Sequence, residues 1–328
     1  MSSRTRRHLL AATAGLALPS LARAQGLPRL GVLMLPAEGD PGATQRRDAL
    51  LHRLAALGWK DGETIRITLR WAGAQPGRVA QLAREMVELA PNIILANGTP
   101  IISALRPLTR TIPIVCAQVI DPVGLGVAES LARPGGNFTG FTFINPSLIA
   151  KWRSLLHEAA PALRRAVLFF NPASNPWYPG ALAELAQGPP SPGPELVLVA
   201  VRSTEELLAR LVEAARQPAT GLIVGPEQLV LGSQRDVLAT ARAQRLPGVS
   251  VYPQFAAAGG LMSYGPDVPD IFRNAAGYVD RILRGASPAT LPIQQPVRFD
   301  FTINLLTAAA LGLSIPPSLL AAADTVIE

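Results

Sequence analysis

The chain has 328 residues, of which 48% are hydrophobic and 16% charged, enough apolar material for one large core or two of ordinary size. Its formal charge of +7 is inflated by residues 1–24, where Arg4, Arg6, Arg7 and Arg23 stand without an acidic residue. Setting those four aside leaves 26 basic side chains against 23 acidic ones, an excess of three that argues against a nucleic-acid partner or a long polybasic stripe.

Residues 1–24 read as an export signal. A basic start ends at Arg7, an apolar stretch covers residues 9–21, and Ala22-Arg23-Ala24 precedes a cut before Gln25. Thr5-Arg6-Arg7-His8-Leu9-Leu10 resembles the twin-arginine type of bacterial signal, so the expected destination is the periplasm. The apolar stretch is short and interrupted by Thr13 and Gly15, and no later segment holds roughly 20 uninterrupted apolar residues, so no membrane span is read. Cys116 is the single cysteine. An intramolecular disulfide is therefore impossible, and the residue lies too far from the leader to become a lipid anchor.

From residue 29 the pattern is apolar strand, loop and amphipathic helix, repeated. Residues 30–35 form a continuous apolar strand, and residues 45–57 place Leu50, Leu51, Leu54 and Leu57 at helical spacing. Ile65, Ile67, Leu69 and Trp71 alternate as one buried face of a strand should. A helix over 78–89 stops near Pro91, and residues 92–96 and 112–117 give two more short strands. After a glycine-rich passage at 134–140 the pattern resumes with a helix over 148–160, a strand over 166–170 and a helix over 178–186. A loop carrying Pro189, Pro190, Pro192 and Pro194 leads to a strand at 196–200 and a helix at 204–215. Residues 221–224, 234–244 and 249–252 then read as strand, helix and strand. A glycine-rich strand or turn at 259–265, a helix over 271–283 and an apolar tail complete the chain. Apolar strands separated by helices predict parallel α/β architecture, with two lobes alike in kind. A single large open α/β domain is the competing reading.

Three groups of residues, taken in chain order, carry a more specific signal. The first is Ile112-Pro113-Ile114-Val115-Cys116-Ala117, then Asp121-Pro122-Val123, then Ser130-Leu131-Ala132-Arg133-Pro134-Gly135-Gly136-Asn137-Phe138-Thr139-Gly140. The second runs from Gly259-Gly260-Leu261-Met262-Ser263-Tyr264-Gly265-Pro266 into Tyr278-Val279-Asp280-Arg281-Ile282-Leu283-Arg284-Gly285, Leu291-Pro292 and Gln295-Pro296. The third is Ile303-Asn304-Leu305-Leu306-Thr307-Ala308, Leu311-Gly312-Leu313, Ile315-Pro316-Pro317 and the terminal Asp324-Thr325-Val326-Ile327-Glu328. Together these groups resemble the bacterial ABC-transporter substrate-binding family that includes tryptophan- and tyrosine-binding receptors, and the resemblance implies the type I periplasmic-binding-protein fold, two Rossmann-like lobes with central parallel sheets joined by three crossings. On that reading residues 28–141 plus 259–286 form the first lobe, and 142–258 plus 287–328 the second. It also implies a small-molecule ligand and, as partners, a membrane permease and its cytoplasmic ATPase; the chain is expected to be a monomer.

The candidate cleft residues follow strand ends, where open α/β sheets receive ligands. Asn97-Gly98-Thr99 follows the 92–96 strand; Gly98 permits close approach and Thr99 offers a hydroxyl to a ligand carboxylate, or is an ordinary helix cap. Gln118 and Asp121 follow the next strand; Asp121 can accept from a ligand ammonium or cap the helix starting at Pro122. Phe141 and Asn145 lie at the first passage between lobes, with Phe141 open to a plain core role. Asn171, Ser174 and Asn175 follow a second-lobe strand, and Glu227 another, as an amine ligand or a solvated acid. Tyr252 also follows a second-lobe strand, and Tyr264 sits in the glycine-rich segment that the resemblance places near a crossing.

No catalytic or metal pattern competes with this reading. Of three histidines, His8 leaves with the signal, while His52 and His157 fall in helices without metal-ligand spacing. Cys116 lies in an apolar strand and reads as a buried small residue. No cofactor fingerprint and no phosphate-binding lysine loop of an ATPase is present. The expected function is an exported receptor delivering a small metabolite, an aromatic or apolar amino acid, to an ABC importer; a ligand-binding part of a membrane signalling system is the alternative.

Overall fold

A computed structural model describes residues 26–73, 75–188 and 192–328. The export signal read at 1–24 and the loop residues Pro189 and Pro190 lie outside the described residues. The chain begins with β1 (Arg29–Met34), α1 (Pro41–Ala56), β2 (Arg66–Trp71), α2 (Pro76–Glu88), β3 (Ile93–Asn97), α3 (Thr99–Leu105), β4 (Ile114–Val119) and β5 (Phe138–Thr142). The five strands pair in the order β2-β1-β3-β4-β5, all parallel. β3 and β4 are buried at every position, as strands covered on both faces must be. α2 turns Val79, Leu82, Ala83 and Met86 inward at helical spacing onto one face.

The second half adds α4 (Pro146–Ala159), β6 (Arg165–Phe170), α5 (Tyr178–Gln187), β7 (Glu195–Ala200), α6 (Thr204–Ala215), β8 (Thr220–Val224), α7 (Gln228–Gly232), α8 (Gln234–Ala243), β9 (Gly248–Ser250) and α9 (Pro253–Ala257). It ends with β10 (Met262–Pro266), α10 (Val268–Leu283), β11 (Phe299–Asn304), α11 (Leu305–Leu311), α12 (Pro317–Ala322) and β12 (Thr325–Ile327). The second sheet runs β12-β11-β10-β9-β8-β6-β7. Its one antiparallel pair is β10 with β11.

The chain passes between the sheets after β5, after β10 and again before β11. These passages lie side by side: the Thr142 N–H donates to the Gln294 carbonyl at 2.9 Å, and the Asp267 N–H to the Arg298 carbonyl at 3.0 Å. The residues 259–286, expected with the first lobe, divide between the two. β10 pairs with β9 and β11 in the second sheet, and only α10 returns, packing on α1, β3 and β4. Residues 288–294, expected with the second lobe, lean on β5, where the Thr139 hydroxyl donates to the Leu291 carbonyl at 2.7 Å. Apolar alternation announces a strand but carries no information about which distant strand it pairs with.

The glycine-rich passage at 134–140 also hides a strand. β5 runs so close to β4 that a Cβ on Gly140, at φ 131°, would run into the Cys116 backbone.

Candidate functional site

The first-lobe side of the site is built where β3 and β4 end. Gly98 takes φ 89° and ψ 145°, a conformation that L side chains rarely adopt, and so turns the chain sharply from β3 into α3. The Thr99 hydroxyl accepts from the Ile120 N–H at 3.0 Å and ties the two strand-end loops together. Gln118 holds a left-handed backbone at φ 63°. Its Oε1 accepts from the Asn97 Nδ2 at 2.9 Å, while the same amide nitrogen reaches the Ala117 carbonyl at 3.4 Å. A carbonyl can only accept, so this side of Asn97 is the nitrogen and the other is the oxygen. That oxygen, on a side chain 2% exposed, has no hydrogen-bond partner among the described residues. A buried polar atom left unpaired is uncommon and costly.

On the second-lobe side one carboxylate organises the loops. Glu227 is 1% exposed and caps α7. Its Oε2 accepts from the Asn171 N–H at 2.9 Å and the Asn175 Nδ2 at 2.8 Å, and its Oε1 from the Ser174 hydroxyl and the Leu229 N–H, both at 3.4 Å. Beneath it Tyr178 is fully buried, its hydroxyl without a partner among the described residues; burial first, then the nearby Glu227 and Tyr252, raise its pKa well above the ordinary value.

Across the seam, Asn97, Gly98, Thr99 and Gln118 face Ser174, Asn175, Pro226, Gln228 and Tyr252 around a narrow cleft of about 50 Å³ that opens to solvent. Leu35, Pro36, Ile120 and Phe143 supply apolar wall, and Arg46 of α1 closes one side. The Phe143 and Tyr252 rings stack at 5.6 Å with 27° between their planes, and the Arg46 guanidinium stands 5.9 Å from the Tyr252 ring centre. Burial raises the Tyr252 pKa, with Arg46 opposing.

Of the residues chosen from sequence, Asn97, Gly98, Thr99, Gln118, Ser174 and Asn175 meet in this cleft. Asp121 does not line it: its carboxylate accepts the Gly124 N–H at 2.8 Å as the cap of a tight turn. Phe141 is 3% exposed and packs on the Tyr278 ring at 4.8 Å, a core position. Asn171 closes its own loop by accepting the Ala173 N–H at 2.9 Å, and Glu227 lies behind Ser174 and Asn175 rather than on the surface of the cleft. Asn145 caps α4 through the Leu148 N–H and donates to Gln295 Oε1 at 3.2 Å. Tyr264 stacks on Phe299 at 5.5 Å with 5° between planes, and with Asn145 and Lys151 borders a separate hollow beside the crossings. The sequence candidates omitted Arg46, Phe143, Pro226 and Gln228. Pro226 and Gln228 flank a chosen residue after β8, but Arg46 lies inside a helix, where no strand-end signal marks it.

Among the described residues no group of three or more His, Cys, Asp or Glu side chains could hold a metal, and no helix is long and apolar enough to cross a membrane. The Cys116 thiol is fully buried, and burial drives its pKa far above the usual thiol range, unlike an activated nucleophile. The arrangement is suited to enclosing a small molecule, with donors and acceptors set in an apolar seam.

The profile of the family described as ABC transporter substrate binding protein matches residues 34–327. The chain belongs to that family. A tyrosine-binding protein of Clostridioides difficile is 23% identical over 275 residues, 83% of this chain and 78% of the relative. A Streptococcus pneumoniae structure described as an ABC domain in complex with L-Trp superposes with a TM-score of 0.82 at 23% identity, over 92% of this chain and 100% of that one. A conserved domain protein of Vibrio cholerae gives 0.83 at 26% identity, with the same coverage. This substrate-binding protein thus has the type I periplasmic-binding fold, and its family binds solutes without transforming them. Membership implies a permease and an ATPase as partners and an extracytoplasmic place of work.

Proposed function

We propose that this substrate-binding protein is exported to the periplasm by the twin-arginine signal read at 1–24 and closes there on an aromatic or other apolar amino acid, which it hands to an ABC permease and its ATPase. The observation that carries the reading is the cleft wall itself, lined both by the stacked Phe143 and Tyr252 rings and by Asn97, whose buried amide oxygen is unpaired. An apolar ring system favours an apolar ligand body, and the buried acceptor favours a donor on the ligand, because closure without such a donor leaves that acceptor desolvated. The tryptophan complex and the tyrosine-binding relative support the same ligand class.

Calorimetric titration of ligand-free mature protein with amino acids, small carboxylates and nucleosides tests this. An aromatic or apolar amino acid should bind, and Tyr252→Ala should weaken it by at least about tenfold through lost ring contact. Binding of nucleosides alone, or a Tyr252→Ala protein with unchanged affinity, overturns the ligand assignment.

A further inference from the structure

The charges around the cleft are unevenly distributed, and the imbalance points to a narrower ligand class. Arg46 is the one charged residue on the cleft wall, and among the described residues it forms no ion pair, whereas its neighbour Arg47 pairs with Asp48 at 2.7 Å. The acids that could receive an ammonium are otherwise engaged. Glu227 lies behind the wall with four donors on its two oxygens. Asp121 caps the turn at Gly124. Asp40 stands in the adjoining outer hollow, where its Oδ1 caps α1 by accepting the Ala43 N–H at 2.8 Å. The acceptors that remain for a ligand donor on the wall are neutral amides, the unpaired Asn97 oxygen with the side chains of Asn175 and Gln228, and none carries a net charge.

We infer that the cleft requires a carboxylate, read by Arg46, and reads the neighbouring ligand group only as a hydrogen-bond donor, so that 2-hydroxy acids are ligands alongside amino acids with the same side chain. The inference rests on the receptor reading above and specifies its ligand. A guanidinium matches a carboxylate with two parallel bonds, and lobe closure strips water from Arg46, so a ligand lacking that charge leaves the cation desolvated and unpaired. An amide oxygen, by contrast, accepts equally from an ammonium or a hydroxyl. Because no acidic side chain among the described residues lines the cleft, loss of the ligand's positive charge removes no ion pair on the wall.

Calorimetry on the mature protein with L-phenylalanine, L-phenyllactate and L-phenylalaninamide separates these roles, with Arg46→Gln and Arg46→Lys as variants and melting temperature as the folding control. The amino and hydroxy acids should bind within about tenfold of each other, and the amide at least about thirtyfold more weakly, the range of a lost hydrogen bond to a charged group. Arg46→Gln should lower the acids to the level of the amide, and Arg46→Lys should restore part of the loss. An amide that binds as tightly as the acid, a hydroxy acid weaker than the amino acid by about a hundredfold or more, or an Arg46→Gln protein with unchanged affinity overturns the inference. If the three probes fail but the wider screen finds an uncharged or cationic ligand, the inference is wrong while the receptor reading stands. If no small molecule of any class binds, both fall.

Discussion

The two walls of the cleft are shaped by different means. On the first-lobe side the loops after β3 and β4 are set by the backbone: Gly98, Gln118 and Asp121 all take positive φ, and the Thr99 hydroxyl joins one loop to the other. On the second-lobe side the loops after β6 and β8 converge on the Glu227 side chain, which receives donors from Asn171, Ser174, Asn175 and Leu229. A wall set by backbone conformation tolerates side-chain change except where the angle itself is lost. A wall gathered by one carboxylate depends on that group. The two lobes of a receptor can therefore present similar polarity to a ligand and still differ in how substitutions damage them.

The largest break in this comparison should come from Glu227→Ala. Four donors lose their acceptor in a buried site, so we expect a loss of about 3 kcal/mol in urea unfolding, together with weakened ligand binding as Ser174 and Asn175 lose their support. Gly98→Ala tests the opposite wall. Its φ of 89° is strained for alanine, and the new Cβ would stand 3.0 Å from the Leu35 side chain, so about 2 kcal/mol should be lost by the same measurement. A Glu227→Ala protein as stable as the parent would refute the role given to that carboxylate.

Alkaline titration sharpens the contrast with a smaller effect. The buried Tyr178 and Tyr252 belong to the second lobe, and burial raises the pKa of each above the ordinary 10.0. The fold therefore favours their neutral forms, while the unfolded chain ionises them first. Their contribution is full below pH 10 and declines as pH rises through the range between the unfolded and folded values. Each tyrosine should steepen the loss by up to about 1.4 kcal/mol per pH unit, and Tyr252→Phe should remove its share of that slope in pH-dependent unfolding.

The smallest effect should be that of Asp121→Asn. Asparagine keeps an acceptor for the Gly124 N–H and tolerates the positive φ of 46°, so stability should move by less than about 0.5 kcal/mol and ligand affinity should stay the same. A marked fall in affinity would return the Asp121 carboxylate to the ligand.

The amino-acid sequence by itself determined the alternation of strands and helices, the two-lobed α/β class, and six cleft residues at strand ends, from Asn97 to Thr99, Gln118, Ser174 and Asn175. These are short-range properties: an apolar run and the polar residues just after it sit within one stretch of chain. The ordered likeness to a receptor family added the crossings and the class of function. Only the tertiary structure decided that β10 joins the second sheet while α10 packs on the first, because strand partners are chosen across tens of residues by pairing and burial. It alone decided that Asp121 and Glu227 are engaged by backbone and side-chain donors, and that Tyr264 stacks on Phe299 beside the crossings. It also brought Arg46 to the ligand seam from inside α1, where helical periodicity marks a residue as facing away from the core but not what stands opposite it.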